Sequence, residues 1–288
     1  MTFSDYSLEF EQTVLPLKKA ATIATMSSHL RKLREVFGSS EIARLTQREV
    51  QAYFTGLSKT LQPKTVANIA GTMHIVMAQA LREDLIVKIP SPVLPKNGRH
   101  KPECLSIDQM KKIIAGARNP TFYWLLAETG CRIGEVLGFR PADLDQEKQL
   151  LTVDWSVHNG KLQEPKTHSS LRTLSVSGRL RDLLAERIVD CDPETTIFHT
   201  STGRPLWMSS ALDDLQKTCT RVGISPVGFH AFRRGNLTTF ASWEMPEGML
   251  YYRAGHAPIG MTLKVYVQRE AFIGKDLEWA EKMAEVLK

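Results

Sequence analysis

The stretch from Ile86 to Cys104 constrains this chain more than any other. Pro90, Pro92, Pro95 and Pro102 alternate there with Lys88, Lys96, Arg99 and Lys101. Each proline fixes φ and removes a backbone donor, so neither a helix nor a central strand can run through the segment. The chain must therefore fold as two pieces, and 288 residues leave each piece enough sequence to bury a core. The break itself reads as a stiff, basic linker, assigned to residues 89–104. It suits either a spacer or a strap along a phosphate backbone.

The piece before the break reads as helices. Ile23, Met26, Leu30, Leu33 and Val36 recur at spacings of three and four before Gly38. Thr46-x-x-Glu49 is a capping box, opening a helix that carries Val50, Tyr53, Phe54 and Leu57. Pro63 suits the first turn of another, with Val66, Ile69, Met73, Val76, Ala80 and Leu81 on its buried stripe. A weaker helical pattern covers residues 4–13. Residues 1–88 are thus expected to form a small all-α domain.

The piece after the break, residues 105–288, is mixed. Ser106-x-x-Gln109 is another capping box, with Met110, Ile113, Ile114 and Ala117 on one face. Over residues 149–177 the period changes to two, with Leu151, Val153 and Trp155 alternating with polar residues. Asn159-Gly160 is a strong hairpin signal. A second hairpin is expected to join 161–166 to 171–176 through residues 167–170. From Gly178 the pattern returns to helix. The fold class expected is mainly α with one small antiparallel β-sheet (α+β).

Composition excludes several classes. Hydrophobic residues at 42% and charged residues at 24% are ordinary globular values. The longest apolar run, Phe122 to Ala127, is far too short to span a bilayer. Asp5, Glu9 and Glu11 stand where a signal peptide would be basic and then apolar. Cys104, Cys131, Cys191 and Cys219 form no C-x-x-C pair, suggesting neither a zinc site nor a disulfide framework. The expectation is a soluble, cytoplasmic protein with no membrane partner, no metal and no cofactor. The formal charge is +6, with 13 Lys+Arg against 8 Asp+Glu in residues 1–100 and 24 against 23 thereafter. A positive excess gathered in the first third suits a polyanion such as nucleic acid, although that balance is also common among soluble domains.

Four segments carry chemistry-bearing residues. Residues 128–145 read ETGCRIGEVLGFRPADLD, with Arg132 opening a helix after the Gly130 turn. Residues 165–177 read PKTHSSLRTLSVS, with Lys166 in the hairpin region. GFHAFRRG, residues 228–235, sets His230 and Arg233 three apart on one helix face. AGHAPIGMTLKVYVQ, residues 254–268, holds Gly255-His256 and, ten residues on, Tyr266. Taken singly, each has an ordinary reading: a solvated arginine, a hairpin lysine rivalled by Lys161, a hydrogen-bonded core histidine.

Taken together and in order, Arg132, Lys166, His230, Arg233, Gly255-His256 and Tyr266 resemble the catalytic pattern of the tyrosine recombinases, the phage integrase family. The resemblance covers nearly the whole chain. It implies an α-helical core-binding (SAM-like) domain, then a catalytic domain ending in an exchange helix over 272–288. The implied activity is site-specific recombination, cutting and rejoining duplex DNA through a 3′-phosphotyrosyl intermediate with Tyr266 as nucleophile. Arginine forks would stabilise the charge gained by the nonbridging phosphate oxygens, and Lys166 would protonate the leaving 5′-oxygen. His230 and His256 would complete the phosphate cradle, with His230 accepting the Tyr266 proton. Glu135 would orient Arg132. The implied partners are duplex DNA with inverted-repeat sites, clamped between the two domains, and a homo-tetramer or paired recombinase in the synapse. Without DNA the chain is expected to be a monomer. Because the core-binding domain begins almost at residue 1, a short Xer-like or mobile-element type is expected, with no arm-binding domain.

Two other readings remain open at this level: a catalytically silent DNA-binding protein of the same fold, and a type IB topoisomerase-like enzyme. The sequence also departs from the family pattern. Phe232 and Ala254 stand where leucine is usual, Gln268 where histidine is frequent, and Tyr251-Tyr252-Arg253 is an unusual approach to Gly255.

Overall fold

The boxes at Thr46 and Ser106 each start a helix by reciprocal hydrogen bonding, and a further box at Thr2 and Asp5 does the same. Each satisfies two of the donors that a helix leaves unpaired at its amino end. The computed structural model describes residues 1–96, 98, 103–164, 171–189, 191–255 and 273–288. The chain divides into two units, Met1–His100 and Lys101–Lys288.

In the first unit, helices α1 (Phe3–Thr13), α2 (Ala20–Phe37), α3 (Gln47–Leu57) and α4 (Pro63–Arg82) surround one apolar core. Leu30, Leu33, Val50, Val66, Ile69 and Val76 are completely buried within it. Two expected core residues, Val36 and Leu81, are instead exposed. The helical period explains both. The α2 stripe runs Met26, Leu30, Leu33, Phe37, a 4-3-4 spacing that passes over Val36, and Leu81 lies one residue, about 100°, beyond buried Ala80.

Part of the proline-rich stretch is held against α3. Gln47 donates to the Ser91 carbonyl and accepts from the Ser91 amide, both at 2.7 Å. Gln51 does the same at Val93, at 3.1 and 2.7 Å. Four helical residues rise about 6 Å and two extended residues about 6.7 Å, so glutamines one turn apart match alternate residues of an extended chain. Ile89 and Leu94 pack on the core of this unit. At the far end, Glu103 and Leu105 hydrogen-bond Gly228 and Ala231 of the second unit.

The second unit contains α5 (Ile107–Gly116), α6 (Pro120–Thr129), α7 (Ile133–Gly138), α8 (Gly178–Ile188), α9 (Met208–Arg221), α10 (His230–Ser242), α11 (Glu247–Ala254) and α12 (Leu277–Leu287). Helix α6 is buried on every side from Phe122 to Thr129 and packs against α5, α7, α8, α10 and α12. It ends at Gly130, whose φ of 63° is left-handed. A Cβ there would meet the Asn236 side chain, which donates to the Ala127 and Glu128 carbonyls at 2.8 Å. Glycine is therefore required twice over.

The strands are β1 (Leu144–Asp145), β2 (Leu150–Val153), β3 (Ser156–His158), β4 (Lys161–Gln163) and β5 (Arg172–Ser175). Among the described residues they form two antiparallel sheets, not the one expected: β1-β2-β5 and the pair β3-β4. The Asn159-Gly160 hairpin is present, with φ of 50° and 70° as a primed turn requires. The expected second hairpin is corrected. β5 pairs with β2, Leu174 opposite Leu151, while β4 pairs with β3. Trp155 falls between strands, because the chain leaves β2 there to start the other sheet. The proposed connection, residues 167–170, lies outside the described residues.

Helix α12 lays Ala280, Met283, Ala284 and Leu287 on its own unit, against α5, α6 and α8. Helix α7 packs against β3 with its glycines facing the strand. A Cβ at Gly134 would lie 3.0 Å from the Val157 carbonyl oxygen, and one at Gly138 2.9 Å from the Ser156 amide nitrogen. Backbone cannot yield as a flexible side chain can. Gly138→Ala should therefore lower unfolding stability by ~1–3 kcal/mol, measured by urea denaturation. Gly56→Ala, which meets nothing within 4 Å, should not destabilise.

Candidate active site

Arg132 follows the left-handed Gly130 turn and occupies the cap position of α7. Glu135, in the first turn, accepts from the Arg132 amide and from Arg132 Nη1, both at 2.8 Å. The carboxylate thus fixes the arginine at both ends, as the orienting role expected of Glu135 requires. The other side of Glu135 is taken by Arg172 of β5, whose Nη2 donates at 2.9 Å and Nη1 at 3.3 Å. Arg233, one turn into α10, donates from Nη1 to the Gly130 carbonyl at 2.9 Å.

All three guanidiniums then converge on the carboxyl end of α11. Arg172 Nε donates to the Arg253 carbonyl at 2.8 Å, Arg233 Nη2 to the Ala254 carbonyl, and Arg132 Nη2 to the Gly255 carbonyl at 3.3 Å. These are successive carbonyls where a helix has none of its own donors left and where its dipole is negative. Gly255 closes α11 with a left-handed φ of 57°. A Cβ there would lie 2.8 Å from Arg172 Nη1, so no other residue fits the end of this helix without moving that guanidinium.

The electrostatics follow from burial. Arg172 is fully buried, Arg233 nearly so, and the Arg132 side chain is 36% exposed. Burial alone would raise the Glu135 carboxyl, but Arg172 and Arg132 outweigh it and hold it at about 2. Burial, then the neighbouring Arg132 and Arg172 cations, lowers Arg233 to about 10, so it stays charged at neutral pH. Among the described residues, these three guanidiniums and the Glu135 carboxylate leave an excess of two positive charges. His230, the first residue of α10, is exposed, and its imidazole lies below its usual 6.5. Partial burial is the first cause, followed by Arg233, Arg234 and Arg132. It is therefore neutral at pH 7 and able to accept a proton. Arg234 is exposed on another face of α10 and donates to the Glu103 carbonyl at 3.2 Å.

The structure thus brings Arg132, Arg233 and Glu135 together and sets His230 on the same helix as Arg233. Lys166, His256 and Tyr266 lie outside the described residues. Two arginines have roles here that the sequence pattern does not assign. Arg172 is in phase with buried Leu174 and Val176, and a cation on the inward face of a strand is the signal that could have revealed it. Arg253 is fully buried, and with Tyr252 it explains the unusual approach to Gly255. Tyr252 Oη donates to the Thr173 carbonyl at 2.7 Å and accepts from its amide at 3.0 Å, docking α11 on β5. Among the described residues no group of three or more His, Cys, Asp or Glu is placed to hold a metal ion, and no helix is long and apolar enough to cross a membrane.

A family model described as the phage integrase family matches residues 104–271, more than half of the chain. The chain belongs to the phage integrase family. It is a tyrosine recombinase, an enzyme that breaks and rejoins DNA strands. Similar curated proteins include the tyrosine recombinase XerC-like protein of Caldanaerobacter subterraneus subsp. tengcongensis, 24% identical, with 86% of this chain and 74% of that protein covered. The ICEBs1 integrase of Bacillus subtilis is also 24% identical, over 88% of this chain and 75% of that one. Among solved structures, the Tn1549 transposon integrase in complex with a circular intermediate DNA has the same fold, with a TM-score of 0.79 at 20% identity, covering 93% of this chain and 95% of that one. A lambda integrase dimer bound to a COC′ core site matches with a TM-score of 0.69 at 17% identity, covering 91% and 100%.

For this recombinase the Glu135 carboxylate gives a stability test. Its folded value lies below the ordinary 4.5, so its contribution is complete above pH 4.5 and disappears as pH falls toward about 2. Glu135→Gln leaves the buried Arg172 charge uncompensated and should cost ~3–5 kcal/mol at pH 7. Urea unfolding across that pH range should show a smaller acid loss in the variant than in the parent protein.

Proposed function

We propose that this tyrosine recombinase acts at inverted-repeat sites in duplex DNA, with Tyr266 as the nucleophile and Arg132, Lys166, His230, Arg233 and His256 as its catalytic partners. The observation that carries the reading is the convergence of Arg132, Arg172 and Arg233 on three successive carbonyls at the end of α11, with Glu135 the carboxylate that two of them share. Such a surplus of buried and half-buried guanidinium charge suits a phosphodiester whose nonbridging oxygens gain charge during attack.

In the step proposed, the Tyr266 phenol oxygen attacks phosphorus while its proton passes to the neutral His230 imidazole. The phosphorus–O5′ bond breaks, Lys166 gives a proton to the departing oxygen, and a 3′-phosphotyrosyl ester remains. Rejoining is the reverse, with a 5′-hydroxyl as nucleophile, so the bond energy is kept in the ester. His256 shares the phosphate with the two arginines. The family places the chemistry on paired sites, which supports a tetramer on DNA formed from monomers, each with an N-terminal helical DNA-binding domain. In such a ring the apolar face of α12 would dock on the next protomer in place of its own unit.

Two measurements test this. Tyr266→Phe should bind a nicked duplex bearing the inverted repeats as well as the parent protein does, yet form no covalent adduct on denaturing electrophoresis. An adduct in that variant would remove Tyr266 from the role. Lys166→Ala should regain cleavage on a 5′-bridging phosphorothiolate, whose leaving group needs no proton, whereas Arg132→Ala should remain ~10²-fold or more impaired. Rescue of Lys161→Ala instead would move the general acid to Lys161.

The neutral His230 sets the pH profile. Single-turnover cleavage should fall as pH drops through a value below 6.5. Arg234→Ala, which removes one nearby cation, should move that limb upward toward 6.5.

A further inference from the structure

Arg253 and Asp276 form an ion pair in which both side chains have no solvent exposure. Nothing in phosphate chemistry calls for it, since the partners of the Arg253 guanidinium are Asp276, the Glu128 carbonyl and the Phe240 ring. Its Nη1 pairs with Asp276 Oδ2, its Nη2 donates to the Glu128 carbonyl at 3.2 Å, and it lies 5.0 Å from the Phe240 ring centroid. Asp276 in turn accepts from the Ser175 amide of β5 at 3.1 Å. One side chain therefore ties the carboxyl end of α11 to α6, to β5, to α10 and to the residue that precedes α12.

The backbone of the same residue faces the site. The Arg253 carbonyl is the acceptor for Arg172, and the next two carbonyls are the acceptors for Arg233 and Arg132. The anchors of the phosphate-facing guanidiniums are thus only as well placed as the end of α11. A helix end is free to fray unless tertiary contacts hold it. Here the ties come from Arg253 through its side chain, from Tyr252 on β5, and from Arg172, which returns the constraint to Glu135 and so to Arg132.

We propose that the Arg253–Asp276 pair, with Arg172, is a positioning unit that fixes the α11 carbonyls on which Arg132 and Arg233 are anchored, and so sets the geometry of those two arginines at the scissile phosphate. Arg253, Asp276 and Arg172 act through other groups and are positioning residues. The inference rests on the reading of Arg132 and Arg233 as phosphate ligands.

The test compares two substrates: a nicked duplex with an ordinary scissile phosphate, and the same duplex with a neutral methylphosphonate there. Removing one nonbridging charge reduces what the arginines can contribute, so a defect caused by misplaced arginines must shrink on the second substrate. Asp276→Asn should bind the duplex normally, cleave the phosphate ~10²-fold more slowly, and cleave the methylphosphonate at close to the parent rate. Arg132→Ala should show the same substrate dependence. If Asp276→Asn unfolds, the double variant Arg253→Met with Asp276→Leu removes the pair without stranding a buried charge, and is measured in its place. Equal loss on both substrates, no loss on either, or unfolding of both variants would overturn the proposal. A parent protein that forms no adduct on either duplex would instead refute the underlying reading.

Discussion

Glu135 is the carboxylate on which this site depends. Two arginines share both of its oxygens, one on the cap of α7 and one from the buried strand β5. Placed without it, Arg132, Arg172 and Arg233 would repel one another in a medium that screens poorly. With it, the cluster keeps a surplus of two charges, enough to attract an anion and few enough to be held by the surrounding carbonyls. The gain over burial is visible in the carboxyl itself, which is driven to about 2 although it is almost wholly enclosed.

The remaining restraint is supplied by backbone. Helix α6 ends at Gly130, and its last turn offers one carbonyl to Arg233, while α11 ends at Gly255 and offers three in succession to the three arginines. Both ends are made by left-handed glycines, which expose carbonyls that a continuing helix would have consumed. Neutral dipoles suit this role, because a second carboxylate would halve the surplus charge that the proposed phosphate contact uses. On the proposed reading, the arginines are held by these bonds before DNA arrives, which leaves little ordering for the reacting complex.

Local rules made much of the helical framework legible in the sequence. The capping boxes at Thr46 and Ser106 and the proline at position 63 act within one turn, so their reading needs no tertiary knowledge. The Asn159-Gly160 turn was readable for the same reason. Strand partnership was not. Which strand β5 joins depends on how β2 and β3 separate into different sheets after Val153, and alternation along one strand says nothing about that. In the site, Arg132, His230 and Arg233 could be picked out because their spacing matches a family pattern. Arg172 and Arg253 are held by contacts 37 and 23 residues away in sequence, and only the folded chain shows why charges occupy apolar phases there.

Arg253 also shows what a buried ion pair contributes. Two apolar side chains of similar volume would fill the same space with comparable stability, since desolvating both charges offsets most of their attraction. What apolar packing lacks is direction. A guanidinium must meet its carboxylate, the Glu128 carbonyl and the Phe240 face in one orientation, so α11 cannot rotate or slide by a fraction of a turn without breaking several contacts at once. A leucine would tolerate that slip. For an ordinary core the slip would be harmless, but here the same few residues carry the carbonyls that aim Arg132 and Arg233. Specificity of orientation, rather than stability, is the physical reason for a charge at position 253.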